Sequence, residues 1–105
     1  MRDRVTTNDV VMRTGITYRR LDTWARLGYL DVPVLGSGRA AGRDWSDEQI
    51  IAAILINKMS EAGIQPIKAG KVAQLIATNP SDKPKRSARI GAGVWITVDT
   101  EGIEP

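Results

Sequence analysis

Arginine is the residue type in this chain that is best suited to recognition chemistry, and it is concentrated near the N-terminus. Residues 1–45 contain eight arginines and five acidic residues, whereas 46–80 and 81–105 each carry equal numbers of both signs. The formal net charge of +3 therefore arises in residues 1–45. A guanidinium group presents a planar fork of N–H donors that matches phosphate oxygens or the outer edge of guanine. These residues therefore favour a polyanionic partner.

The usual residues of catalysis and metal binding are missing. The 105 residues include no histidine and no cysteine, which removes the commonest general base, the commonest metal ligand and all thiolate chemistry. The sequence contains no nucleophile–base constellation and no phosphate-binding loop pattern. We therefore expect no enzymatic activity, no cofactor and no metal site. No apolar run approaches the length of a membrane span and no signal peptide is visible, so we expect a cytoplasmic protein with no membrane partner.

A short amphipathic helix is predicted near the start of the chain. Thr7 can cap this helix through its hydroxyl group, and Val10 and Val11 form its buried side. Gly15 ends the helix at a position that suits a left-handed backbone.

A second helix is predicted over 17–27, with Thr17 at its N-cap and Gly28 at its C-cap. Three apolar residues recur at helical spacing and predict its buried face: Leu21, Trp24 and Leu27. Two short helices joined by a glycine-containing turn, with basic residues on the second, are typical of a helix-turn-helix. The second helix of that motif enters the major groove of double-stranded DNA.

Residues 31–45 predict a short hairpin with a flexible tip, because three glycines and a proline lie between apolar residues. Arg39 and Arg43 lie on this segment. Arg43 could instead pack on Trp45 or pair with Asp44. Two arginines spaced along a glycine-rich loop favour contacts with phosphates or the minor groove.

Two longer helices follow. Ser46 and Gln49 have the spacing of a capping box and open a helix over 47–62, while Pro66 suits the first turn of a helix that ends near residue 77. The predicted apolar positions are Ile50, Ile51, Ile54, Leu55 and Met59 in the first of these helices and Ile67, Val72, Leu75 and Ile76 in the second. Both helices are therefore expected to contribute to the core.

The C-terminal part divides into a basic linker over 79–88 and a β segment over 89–105. From Arg89 onward apolar residues alternate with others, which predicts a strand. A lone strand needs a partner. It could fold back as a hairpin, join the hairpin of 31–45, or pair with another subunit in a homodimer.

The candidate contacts to DNA follow from these elements. The predicted DNA-binding residues are Thr17, Tyr18, Arg19, Arg20, Arg26, Arg39 and Arg43. Further phosphate contacts are predicted for Thr7, Thr23, Lys83, Lys85 and Arg86. Arg26 has an alternative partner in Asp22, four residues earlier on the same helix.

The order helix, turn, helix, hairpin, helix, helix resembles the winged-helix DNA-binding domain of the MerR family over about 6–76. Residues 16–30, I-T-Y-R-R-L-D-T-W-A-R-L-G-Y-L, are similar to the family's V-S-x-R-T-L-R-Y-Y-E-R-x-G-L-L. Residues 42–46, G-R-D-W-S, are similar to its G-x-R-x-Y-S. The L-D-x-W-A-R-x-G form is similar to a short actinobacterial or actinophage-like subgroup. The resemblance implies a mainly α fold: a winged helix-turn-helix over 1–78 with four helices and a wing hairpin, followed by a short C-terminal β segment.

The chain departs from the family pattern in two ways. Many family members have a basic residue in the position of Asp22 and a tyrosine in the position of Thr23. After Ile76 the family usually continues into a dimerising coiled coil and an effector site, where this chain has the linker and the β segment. We therefore expect no small-molecule effector.

The leading functional hypothesis is a transcription regulator that reads the major groove with helix 17–27 and the flanking backbone or minor groove with wing 31–45. One alternative is an architectural DNA protein of a phage or mobile element, such as an excisionase-like directionality factor. Another is a protein adaptor whose β segment binds a partner by strand addition.

Overall fold

The structure is a computed structural model that describes residues 4–35 and 42–105. The elements follow in the order α1 (Thr7–Thr14), α2 (Tyr18–Arg26), β1 (Val34–Leu35), β2 (Gly42–Arg43), α3 (Asp47–Glu61), α4 (Pro66–Thr78), β3 (Lys85–Gly91) and β4 (Val94–Asp99). Strand β1 pairs with β2 and β3 pairs with β4, in two separate antiparallel sheets. The described residues are 47% helical and 18% strand. The fold is therefore mixed helix and strand, and the expectation of a mainly α protein is corrected.

The N-cap of helix α1 is Thr6, one residue before the predicted cap, Thr7. The Thr6 hydroxyl accepts a hydrogen bond from the Asp9 backbone N–H at 3.1 Å, and the Asp9 carboxylate accepts one from the Thr6 N–H at 2.8 Å. This reciprocal pair is a capping box. The backbone hydrogen bond from Thr6 lowers the pKa of the Asp9 carboxyl below its ordinary value. Thr7 is therefore the first residue of the helix, and Gly15 ends it with φ of 75°, as predicted.

The other predicted helix starts are confirmed. The Thr17 hydroxyl accepts from the Arg20 N–H at 3.2 Å, and the Ser46 hydroxyl accepts from the Gln49 N–H at 3.2 Å. Pro66 is the first residue of α4, where its missing N–H leaves no helical hydrogen bond unmade. Each of these three helix starts is determined by residues in or next to the first turn of its helix.

The buried face of α2 is shorter than its periodicity predicts. Leu21 and Trp24 are buried, but Leu27 is 59% exposed, so its assignment to the apolar face was wrong. The helix ends at Arg26, and its C-cap is Leu27 and not Gly28 as predicted; Gly28 then turns the chain with φ of 82°. The Leu30 N–H bonds back to the Trp24 carbonyl at 3.3 Å, and the Leu30 side chain is buried in place of Leu27.

Trp45 is a fully buried side chain and joins the segment after β2 to α1. Its indole Nε1 donates a hydrogen bond to the Thr7 hydroxyl at 3.1 Å, and its backbone N–H donates to the Val5 carbonyl at 3.0 Å. Trp45 therefore belongs to the hydrophobic core. The contacts with Val5 and Thr7 fasten the β1–β2 hairpin to the N-terminal segment.

A pair of amides, the buried Gln49 and the half-buried Gln74, joins α3, α4 and the turn after α2. Gln49, 5% exposed, accepts from the Asp31 backbone N–H at 2.9 Å and exchanges two hydrogen bonds with the Gln74 amide, at 2.9 and 2.7 Å. Gln74 also donates to the Tyr29 carbonyl at 3.0 Å. The Gln49 side chain is therefore used in the core, and the reciprocal half of the predicted Ser46 capping box is not formed.

Replacing Gln49 with alanine is expected to lower the free energy of unfolding by about 2–3 kcal/mol, because the Asp31 N–H and the Gln74 amide lose buried partners. Thermal unfolding followed by circular dichroism should show a melting temperature roughly 10 °C lower. Gln65→Ala is the matched control, since Gln65 is exposed and makes no side-chain cap to α4. Equal stability of the two variants would contradict the structural role of the amide pair.

The C-terminal β segment is a hairpin within the chain, one of the alternatives left open by the sequence. β3 and β4 pair with Ser87 opposite Thr97 and Arg89 opposite Trp95. The chain reverses at 92–93, where Gly93 has φ of 69°, so the alternating stretch from Arg89 onward covers the end of β3 and the whole of β4. Strand β3 begins at Lys85, inside the segment predicted as a linker.

The hairpin packs on the helices. Ala88 and Val98 are buried in the same hydrophobic cluster as α3 and α4, and the Lys58 ammonium on α3 donates to the Asp99 carbonyl at 3.0 Å. Val94, the first residue of β4, lies beside the turn and is 51% exposed.

Candidate nucleic-acid interface

Helix α2 presents two arginines on the face opposite its buried residues. Arg19 and Arg26 are two helical turns apart and exposed, while Leu21 and Trp24 point into the core. Within the described residues, the Arg19 guanidinium makes no hydrogen bond or ion pair. It is therefore available to a ligand without breaking an existing contact.

Arg26 is paired on the same face. Its Nε atom lies 3.0 Å from the Asp22 carboxylate, and its Nη2 atom lies 3.5 Å from the Thr23 hydroxyl. The sequence left this i, i+4 pair as the alternative to a DNA contact. The side chains of Arg26 and Asp22 are 63% and 36% exposed, and exposed pairs of this kind contribute little to stability. The pair can therefore be broken at little cost.

Arg20 differs from its neighbour Arg19. Its Nη1 atom donates to the Asn57 side-chain carbonyl on α3 at 2.7 Å, and Asn57 in turn donates to Glu61 at 3.3 Å. This contact directs Arg20 toward α3. Of the two consecutive arginines, Arg19 is therefore the better candidate for contact with a ligand.

A cleft of about 320 Å³ lies between the starts of α1 and α2 and the strands β1 and β2. The guanidinium groups of Arg4 and Arg43, the Tyr18 ring and the Asn8 side chain line it, together with the Asp22 carboxylate at the α2 side. Tyr18 is 52% exposed and is predicted to contact DNA. The lining therefore offers several hydrogen-bond donors and two positive charges to an anion.

Sequence reasoning missed Arg4 and Asn8. A Cβ atom added to Gly42 would lie 3.1–3.3 Å from three atoms of the Arg4 guanidinium, so that group lies directly against the β2 backbone. The backbone bond between Val5 and Trp45 brings Arg4 there. No sequence pattern near Arg4 predicts its contact with Gly42.

The remaining candidates in the hairpin and α1 are placed differently. Arg43 donates to the Val32 carbonyl at 2.7 Å, which ties β2 to the chain before β1, and it also lines the cleft. Thr7 is buried with its hydroxyl bonded to Trp45, which gives it a structural role. Arg39, in the predicted tip of the hairpin, lies outside the described residues.

The basic residues of the C-terminal part are not among those lining this cleft. Lys83 and Lys85 are exposed, and Lys85 stands opposite Asp99 in the hairpin. Arg86 is half-buried and lines a separate depression between α3, α4 and the end of the chain. The structure therefore brings Tyr18 and Arg43 to one cleft, which is lined neither by these three residues nor by Arg19, Arg20 or Arg26 of α2.

Comparison of the chain with protein-family models, with curated proteins and with solved structures found no match. The described residues hold no group of three or more acidic side chains arranged to bind a metal ion. No helix in the described part of the chain is long and apolar enough to cross a membrane.

Proposed function

We propose that the protein binds double-stranded DNA as a winged helix-turn-helix of the MerR-like type and acts as a transcription regulator. The observation that carries this proposal is the exposed Arg19 on the α2 face opposite Leu21 and Trp24. Within the described residues its guanidinium makes no hydrogen bond or ion pair. A helix that fixes its inner face in a core and turns a free guanidinium outward suits insertion into the major groove. Arg19 then bonds the N7 and O6 atoms of a guanine.

Phosphate contacts beside the groove come from the cleft at the starts of α1 and α2. Arg4 and Arg43 supply its two positive charges, and Tyr18 and Asn8 supply neutral donors. Such contacts fix the register of a protein on the duplex without reading its sequence. Base reading by α2 and backbone contacts from the cleft together form a two-part interface.

The proposal is tested by selecting sites from a pool of random duplexes, followed by fluorescence anisotropy with the enriched duplex and a scrambled duplex. We expect one enriched sequence. The logarithm of the binding constant should fall linearly with the logarithm of the salt concentration, with a slope of about −0.9 for each phosphate neutralised. Absence of any enriched sequence, together with equal affinity for all duplexes, would overturn sequence-specific recognition. No binding at low salt would overturn DNA binding itself.

Asp22→Asn is expected to raise the affinity for DNA by roughly threefold to tenfold. The change removes a carboxylate that lines the cleft and is paired with Arg26 at 3.0 Å. Removing its repulsion of one nearby phosphate is worth about 1 kcal/mol. Anisotropy at two salt concentrations should show higher affinity and a steeper salt dependence. Asp31→Asn, at an exposed residue that does not line the cleft, serves as the control. A weaker or unchanged affinity of the Asp22 variant would contradict the proposed orientation of α2.

A further inference from the structure

Two shallow depressions lie on either side of a ridge on α4. Ile67 and Lys71, one helical turn apart, line both of them. The depression of about 200 Å³ continues to Arg89 and Ile90 on β3, and the depression of about 380 Å³ continues to Leu27 at the end of α2. We call this combined surface the α4 groove.

The α4 groove exposes aliphatic side chains that the core does not use. Ile67 is 52% exposed and Leu27 is 59% exposed. Single exposed aliphatic residues are common, but neighbouring ones around a concave surface are a feature of protein interaction sites. Both residues were predicted from their periodicity to be apolar contacts of the fold, and neither is buried by the described chain.

Three cations border the same surface. Lys68, Lys71 and Arg89 line the smaller depression, and no carboxylate lines either one. Within the described residues, neither lysine ammonium forms an ion pair. The Arg89 Nε atom bonds the Gly91 carbonyl at 3.0 Å, which holds the side chain along the hairpin. The α4 groove therefore combines exposed aliphatic side chains with three positive charges.

We infer that the α4 groove binds an acidic amphipathic segment of a protein partner. Leucine-like side chains of that segment cover Ile67 and Leu27, and its carboxylates meet Lys68, Lys71 and Arg89. A DNA backbone complements the charges but leaves the aliphatic residues in water. A second copy that presents its own α4 groove in a two-fold contact meets this one with like charges, which costs affinity.

The α4 groove is separate from the proposed DNA interface. The cleft lined by Arg4 and Arg43 shares no lining residue with either depression. The α4 groove therefore offers the protein a second partner besides DNA. Peptide binding to the groove can be tested whether or not the protein binds DNA.

The test uses a fluorescein-labelled amphipathic peptide of roughly 16 residues, with leucines at i, i+3, i+4 and i+7 and glutamates elsewhere. A peptide of the same composition in scrambled order is the reference. We expect the patterned peptide to bind the full chain at least about tenfold more tightly than the scrambled one. Amide shifts in ¹H–¹⁵N spectra are expected at Leu27, Ile67, Lys71 and Arg89.

Variants then locate the contact. Ile67→Ser and Lys71→Glu are each expected to weaken peptide binding by about tenfold, which corresponds to about 1.4 kcal/mol. Leu75→Ser is the matched control, because Leu75 lies on the same helix, is 54% exposed and lines neither depression. Lys83→Glu controls for the change in charge. Circular dichroism checks that every variant is folded.

Several results would overturn the inference. They are equal binding of patterned and scrambled peptides, absence of binding at millimolar peptide, or equal losses in the Ile67 and Leu75 variants. Sedimentation that shows a dimer broken by Ile67→Ser would assign the groove to a second copy. Loss of DNA affinity in Lys71→Glu, with peptide binding unchanged, would assign it to DNA.

Discussion

Replacing Arg19 with alanine is expected to lower the affinity for the selected DNA site by about 1–3 kcal/mol, or roughly 5- to 150-fold. The loss is large because the Arg19 guanidinium is free of contacts within the described chain and lies on the outer face of α2. The variant should also discriminate less between bases at one position of the site. Anisotropy with duplexes that differ at single positions measures both effects.

Arg19→Lys separates a base contact from a phosphate contact. Lysine keeps the charge but lacks the fork that bonds two atoms of guanine. We expect this variant to keep the salt dependence of the original protein and to lose discrimination at the same base pair. A folded Arg19→Ala protein with unchanged affinity and unchanged preference would rule out the proposed role of Arg19.

Trp45→Ala is expected to lower the free energy of unfolding by about 3–5 kcal/mol. The indole is fully buried and bonds the Thr7 hydroxyl at 3.1 Å, so the substitution leaves a cavity and a buried hydroxyl group without its donor. This is a large share of the stability of a small protein. Urea denaturation followed by circular dichroism measures the change.

Trp95→Ala is the matched control for Trp45→Ala. Trp95 is 64% exposed on the hairpin, and substitutions at exposed positions usually change stability by about 0.5 kcal/mol or less. A similar loss of stability in both variants would show that Trp45 does not anchor the β1–β2 segment as described.

Features fixed by neighbouring residues were predictable from the sequence. The caps at Thr17 and Ser46 and the left-handed end at Gly15 depend on hydrogen bonds within one turn, so residue type and spacing predict them. The outward position of Arg19 follows in the same way, because the positions of Leu21 and Trp24 fix the inner face of α2.

Features that depend on distant partners were not predictable. Periodicity could not show that Leu27 lies past the end of its helix, where the turn at Gly28 carries it into solvent. Alternation could not reveal the chain reversal at Gly93, since a hairpin and a single strand share the same pattern. Arg20 finds its partner Asn57 37 residues away, a pairing that only the packing of α2 against α3 creates.

The placement of Arg4 against Gly42 has a consequence for the kinetics of recognition. A long cationic side chain normally loses rotamer freedom when a ligand captures it, at about 0.5–1.5 kcal/mol for each immobilised chain. Here the hydrogen bond from the Trp45 N–H to the Val5 carbonyl fixes the backbone next to Arg4. Because Gly42 has no side chain, the Arg4 guanidinium can lie directly against the β2 backbone. If the cleft binds a phosphate as proposed, Arg4 is already close to it, so the ordering cost of that contact falls. The expected consequence is a longer lifetime of the complex without an additional contact.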